Sequence, residues 1–195
     1  MKNFIKSGRG KFIIGVLVAV IIIGVIITNM NKTTNTNVSS DHHVAVLETS
    51  YGVITLELYN KEMPITAGNF EKLVSSGFYN NIIFHRIING FMIQGGDPDG
   101  TGEGGPGYTI KDEFTKTDLD KNNRGTIAMA KTSAPNSAGS QFFINLVNND
   151  FLNNGYSVFG KVISGMEVVD KIAKVETNQN DKPLKDVKII KAYMK

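Results

Sequence analysis

The chain has 195 residues, 41% hydrophobic and 20% charged, which is the balance of one globular domain with an appendage. It contains no cysteine, so disulfides, thiol chemistry and a lipid-modified N-terminal cysteine are all excluded. Of its 21 lysines and arginines, Lys2, Lys6, Arg9 and Lys11 lie in residues 1–11 without an acid; the other 17 stand against 18 acids, so the net +3 does not point to nucleic acid.

Residues 12–27, FIIGVLVAVIIIGVII, carry no polar side chain. At about 1.5 Å per residue they reach roughly 24 Å, or about 28 Å through Met30, which is enough for one membrane span. The exit, TNMNKTTNTN, has no small-x-small cleavage site. An uncleaved transmembrane anchor over 12–30 is therefore expected rather than a removed signal peptide. The basic flank places residues 1–11 in the cytoplasm and everything after the span outside. Residues 31–43, NKTTNTNVSSDHH, are polar and aperiodic and read as a flexible linker. His42 and His43 beside Asp41 invite a metal reading. With one further histidine in the chain and no cysteine, a solvated linker end is preferred, and no metal or cofactor is expected.

Residues 44–195 form the expected domain. VAVLETS (44–50) and VITLELY (53–59) flank Tyr51-Gly52 as a hairpin. PITAGNFEKLVSSG (64–77) is a helix: Pro64 can start it, Ala67, Phe70, Leu73 and Val74 form its apolar stripe, and Gly77 can end it. IIFHRII (82–88) and FMIQG (91–95) flank Asn89-Gly90, the strongest short hairpin signal. Further strands are expected at 126–131, 140–146, 157–163 and 186–194. A second helix is expected over 165–175, with Met166, Val169, Ile172 and Ala173 on one face. Eight strands and two helices predict a mainly β fold, a closed antiparallel barrel capped by the helices, since closure removes exposed edges. The long loops at roughly 96–125 and 131–139 are of the kind that carry function.

The stretch GTGEGGPG (100–107) matches G-x-G-x-x-G twice. It lacks the preceding strand and following helix of a dinucleotide site and reads instead as a tight loop wrapping a neighbouring strand. No phosphate-binding P-loop, zinc-protease motif or nucleophile elbow occurs. His85 lacks a visible carboxylate partner and nucleophile, so a satisfied structural histidine is preferred over a general base. Arg86 is set among apolar residues in FHRIINGFMIQGGD (84–97), as in a ligand pocket with few placed polar groups. Strand alternation lets Arg86, Met92 and Gln94 converge on one face, although a surface salt bridge would explain Arg86 equally well.

Four motifs in order carry a resemblance: FHRIINGFMIQGGD, GTGEGGPGY, NRGTIAMAKTSAPNSAGSQFFIN and VFGKVISGMEVVDKI. Together they resemble the cyclophilin family of peptidyl-prolyl cis-trans isomerases in its bacterial form, over about 44–193. The family's eight-stranded barrel with two capping helices agrees with the fold read above. The resemblance implies Arg86, Phe91, Gln94 and Phe143 as catalytic positions, and Phe91, Met92, Phe143 and Leu152 as the proline pocket. Gln94 and Gln141 fall where the family hydrogen-bonds the substrate backbone, and Ala130 and Lys131 where main chain meets the residue before proline. Phe151 and Tyr156 stand at the rim, where many eukaryotic members have tryptophan and histidine. Losing the indole N–H implies weakened binding of cyclosporin A. Lys131 stands where asparagine is frequent and the following loop has an apparent one-residue insertion, which implies a preference for more acidic peptides. Ile93 holds a place often taken by cysteine, and the glycine loop is shorter than in many members.

The chemistry suits these residues. An X-Pro bond isomerises over a barrier of about 18–20 kcal/mol without bond making. A donor aimed at the prolyl nitrogen favours the twisted state, in which that nitrogen recovers its lone pair. The expected function is isomerisation of proline-containing peptides and of unfolded or translocated proteins outside the cell. Two alternatives remain: a non-catalytic proline-peptide module or holdase, and, remotely, a metal enzyme using His42, His43 and His85. The Asn/Lys/Ile-rich usage and lone anchor associate the chain with a Gram-positive bacterium.

Overall fold

The computed structural model describes residues 39–115 and 117–195. The expected anchor and most of the linker lie outside the described residues, among which no helix is long and apolar enough to cross a membrane. Among the described residues eight strands and two α-helices follow in chain order: β1 (His43–Thr49), β2 (Gly52–Leu58), α1 (Pro64–Ser75), β3 (Arg86–Ile88), β4 (Met92–Gly95), β5 (Thr126–Met129), β6 (Phe142–Asn145), β7 (Val158–Ser164), α2 (Met166–Ile172) and β8 (Ile189–Met194).

The strands form one antiparallel sheet in the order β3-β4-β6-β5-β7-β2-β1-β8. Its two ends do not join in a ladder, so the sheet is a half-barrel and not the closed barrel expected from the strand count. The reason lies at the free edge of β3. There the Ile87 N–H donates to the carbonyl of Asp181, 2.8 Å away, so a loop occupies the edge that β8 would need. On the side away from β1, the chain at the start of β8 meets the residues before β3, through the single bridge Ile83–Lys188 and backbone bonds such as Phe84 N–H to Val187 O.

Both helices lie where the apolar periodicity placed them. In α1 the stripe Ala67, Phe70, Leu73 and Val74 is buried. It ends as the sequence suggests: Gly77, at φ +74°, donates to Val74 O while Phe78 donates to Leu73 O, a pair that satisfies the last carbonyls. In α2 the buried face is Val168, Val169 and Ile172, and it packs on β2. Between α1 and the sheet sits an aromatic cluster: Phe70 meets Tyr79, Phe142 and Phe159, and Phe84 stands edge-on to Phe142. The one polar atom of the cluster, the Tyr79 hydroxyl, donates to Ser140 O. Each such ring contributes about 1.5–3 kcal/mol by leaving water, and the cluster fixes β6, which carries Phe143 of the candidate site.

Residues 39–43, expected as linker, are held against the sheet instead. His42 sets Nδ1 2.8 Å from Glu57 and Nε2 2.7 Å from Glu62. His43 lies 2.8 Å from Glu71, and Lys61 pairs with Asp41. Composition reads this stretch as solvated because its carboxylate partners come from β2, α1 and the turn between them. Among the described residues no group of three or more His, Asp and Glu is arranged to hold a metal ion.

Candidate active site

The β3–β4 hairpin pairs Arg86 with Gln94 and Ile88 with Met92. Alternation then turns Ile87 and Ile93 into the core, at 2% and 0% exposure, and leaves Arg86 and Gln94 on the opposite face. The row continues across the sheet, since Gln94 faces Phe143 on β6 and Phe143 faces Ala128 on β5. A cation, an amide and an aromatic ring thus lie side by side because the three strands β3, β4 and β6 share one register.

A pocket of about 180 Å³ opens on this row, lined by Arg86, Phe91, Met92, Gln94, Ala130, Lys131, Phe143, Leu152 and Tyr156. Every site residue expected from the sequence lines it except Gln141 and Phe151. Phe143 forms the floor and meets Tyr156 edge-on at 5.6 Å. Phe91 sits in the hairpin turn and forms a wall. Phe151 stacks on Phe91 with centroids 5.7 Å apart and is 75% exposed, making it a rim and not a lining residue.

Gln141 stands behind the row. Its Oε1 accepts from Gln94 Nε2 at 3.0 Å, and its own Nε2 donates to the carbonyls of Gly102 and Gly104. The Gln141 amide is therefore engaged within the protein, while Gln94 keeps its carbonyl oxygen to offer. These bonds also show what the glycine stretch does: it wraps the start of β6 and lines, with Gln94, Ala130 and Lys131, a second hollow of about 550 Å³. A third hollow of about 380 Å³ lies on the other side of Arg86, between Thr101 and Lys182.

Lys131 is nearly buried and pairs with Asp112, in the loop before β5, at 3.0 Å, with a further contact to Ala134 O in its own loop. Arg86 is half exposed, and its Nε lies 3.5 Å from Asp181. His85 is buried and points away from the pocket. Burial pushes its pKa down, against the pull of Asp97. Neither ring nitrogen has a hydrogen-bond partner among the described residues, so the histidine is not the satisfied one expected.

Three supporting residues escaped the sequence reading. Asn149 donates to the Phe91 carbonyl at 3.1 Å and to Asn145, which is itself bonded to Asn122 and Thr126. This buried amide chain fixes Phe91. Asp112 and Asp181 are the partners of Lys131 and Arg86. No local pattern marks any of the three, because each meets its partner across a long sequence gap.

The profile of the family described as cyclophilin type peptidyl-prolyl cis-trans isomerase/CLD matches residues 44–194. The human peptidyl-prolyl cis-trans isomerase-like 1 is 49% identical over 150 residues, covering 75% of this chain and 89% of the relative. A peptidyl-prolyl cis-trans isomerase of Acinetobacter baylyi is 49% identical over 159 residues, covering 76% of this chain and 84% of the relative. Among solved structures, a cyclophilin type isomerase of Cryptosporidium parvum superposes with a TM-score of 0.76 at 37% identity, covering 79% of this chain and 98% of that one. The same protein crystallised in the presence of the dipeptide Ala-Pro gives a TM-score of 0.74 at 38% identity, covering 78% and 98%.

Proposed function

The chain belongs to the cyclophilin-type peptidyl-prolyl cis-trans isomerase family and is such an isomerase; from that premise we propose that Arg86 is the donor that stabilises the twisted X-Pro bond. The observation that carries this reading is the pocket: one unburied guanidinium at the lip of an apolar slot whose floor is Phe143. Phe91, Met92, Phe143 and Leu152 hold the proline ring. Arg86 donates to the prolyl nitrogen as it loses conjugation, and the fixed guanidinium fork keeps the donor aimed. The Gln94 carbonyl and the main chain at Ala130 hold the flanking peptide. Ala130 N–H is already bonded to Gln141 O, which leaves its carbonyl for that purpose. No proton moves and no covalent intermediate forms. The Ala-Pro dipeptide of the Cryptosporidium structure is of the chemistry this pocket fits.

The setting is also part of the proposal. Basic residues 2–11 and the apolar run 12–27 support a bacterial, single-pass anchored enzyme working on proteins outside the cell. There, slow prolyl isomerisation would otherwise limit folding. Phe151 in place of an indole supports weak cyclosporin A binding.

The test is an isomerisation assay of the full chain on a proline-containing peptide, wild type beside Arg86→Ala. A fall of about a hundredfold in kcat/KM, or roughly 2.7 kcal/mol, is expected. A folded wild type that binds the peptide without turning it over would make the groove a holding site. Sedimentation of the chain with membranes, resistant to alkaline washing, tests the anchor.

A further inference from the structure

We propose that Asp181 is a positioning residue for Arg86; the inference rests on the donor role given to Arg86 above. Asp181 Oδ2 lies 3.5 Å from Arg86 Nε, and no other carboxylate among the described residues is within ion-pair distance of that arginine. Both groups are half exposed, and pairs of this kind add little to stability. The significance of the contact is geometric. A carboxylate beside Nε restrains the guanidinium, and the terminal nitrogens are the donors left for a prolyl nitrogen in the pocket.

The loop around Asp181 is tied by its own hydrogen bonds, which fix the backbone that carries the carboxylate. Asn178 Oδ1 accepts from the N–H groups of Asn180 and Lys182, Asp181 N–H donates to Asn178 O, and Asn178 N–H donates to Lys182 O. Asp181 itself is at φ +61°, a left-handed conformation that aspartate tolerates and most residues do not. Two ties register the loop on the site. Ile87 N–H, next to Arg86 on β3, donates to Asp181 O at 2.8 Å, and Lys182 Nζ reaches the Gly100 carbonyl at 3.1 Å. The loop that leaves the barrel open at β3 is thus also the one that meets the arginine. An unheld arginine side chain would spread over many rotamers, few of them aimed at the pocket.

The decisive variant is Asp181→Asn in the full chain. Asparagine adopts the left-handed conformation as readily as aspartate, so the loop and its bond to Ile87 persist and only the charge is lost. In the wild-type background kcat falls roughly fivefold with KM almost unchanged. In the Arg86→Ala background the same change costs nothing, since there is no guanidinium left to aim. Raising the salt concentration lowers the wild-type rate toward that of Asp181→Asn and leaves the variant unaffected. The Arg86 Nε–H resonance in NMR also moves and broadens in Asp181→Asn. An equal loss in both backgrounds would reveal a merely structural loop, and an unchanged kcat and resonance would overturn the inference. Failure of the underlying reading is seen separately, as full turnover by Arg86→Ala alone.

Discussion

Arg86 and Gln94 face one another across the β3–β4 ladder, one on each strand of a hairpin turned by Asn89-Gly90. The Gln94 amide N–H is taken by Gln141 at 3.0 Å, which orients its carbonyl oxygen as the remaining acceptor beside the guanidinium. Replacing Gln94 by Leu keeps the shape and removes that acceptor. It should lower kcat/KM about tenfold, on the order of 1.4 kcal/mol, with the melting temperature nearly unchanged. Steady-state kinetics beside a thermal melt would check both halves.

Phe142 and Phe143 are neighbours on β6 that point to opposite faces. Phe142 lies in the aromatic cluster with Phe70, Tyr79 and Phe84, whereas Phe143 floors the pocket. Phe142→Leu should destabilise the fold by about 1–3 kcal/mol through lost packing and leave KM alone. Phe143→Leu should raise KM severalfold with a smaller loss of stability. Denaturant unfolding and kinetics on the pair would separate the two faces of one strand.

The His42 clasp makes stability depend on pH. Burial works against the charged ring, but its hydrogen bonds to Glu57 and Glu62 outweigh that and raise its pKa above the ordinary 6.5. Glu57 is also pulled by burial toward higher pKa, yet His42 and Lys161 bring it below its ordinary 4.5. Because the raised histidine binds its proton more tightly when folded, its contribution is full below about pH 6.5 and is lost as the pH climbs through the raised value. The Glu57 contribution is present above about pH 4.5 and fades as the pH falls through its lowered value. The advantage of wild type over His42→Gln in melting temperature should therefore be greatest between these limits and should shrink by pH 9. A difference that stays constant across that range would refute the clasp.

Asp120 behaves in the opposite sense. Burial raises its carboxyl to about 6, with Glu113 adding to the effect against the bond that its Oδ2 accepts from the Thr115 N–H. Its Oδ1 has no hydrogen-bond partner among the described residues. The folded state holds this proton more tightly than the unfolded one, so stability declines as the pH rises from about 4 to 6 and the charge is a burden above that. Asp120→Asn should gain about 1–2 kcal/mol at pH 7.5 and nothing at pH 4. Urea midpoints at the two values would decide it.

The local parts of this protein could be read from one dimension. Period-two runs located the eight strands, an apolar stripe and Pro64 located α1, and Asn89-Gly90 located the hairpin that carries Arg86. Adjacent faces were legible for the same reason, and Arg86, Met92 and Gln94 do converge. The reading of His42 and His43 as a solvated linker end misled, because it was judged from composition without the carboxylates that meet them.

The sequence by itself set Arg86, Met92 and Gln94 on one face, because side-chain alternation and turn chemistry are fixed by neighbours in the chain, whereas Phe91, Phe143 and Leu152 entered the slot through the family resemblance. Tertiary structure alone decided what holds the slot in shape. Asp181 beside Arg86, Asp112 against Lys131, Asn149 under Phe91 and the carboxylates around His42 are all long-range partners. A lone aspartate or asparagine has no periodicity to reveal its partner. The open edge at β3 has the same origin, since a ladder closes only if no other segment reaches its hydrogen-bonding groups first, and here the Asp181 carbonyl does.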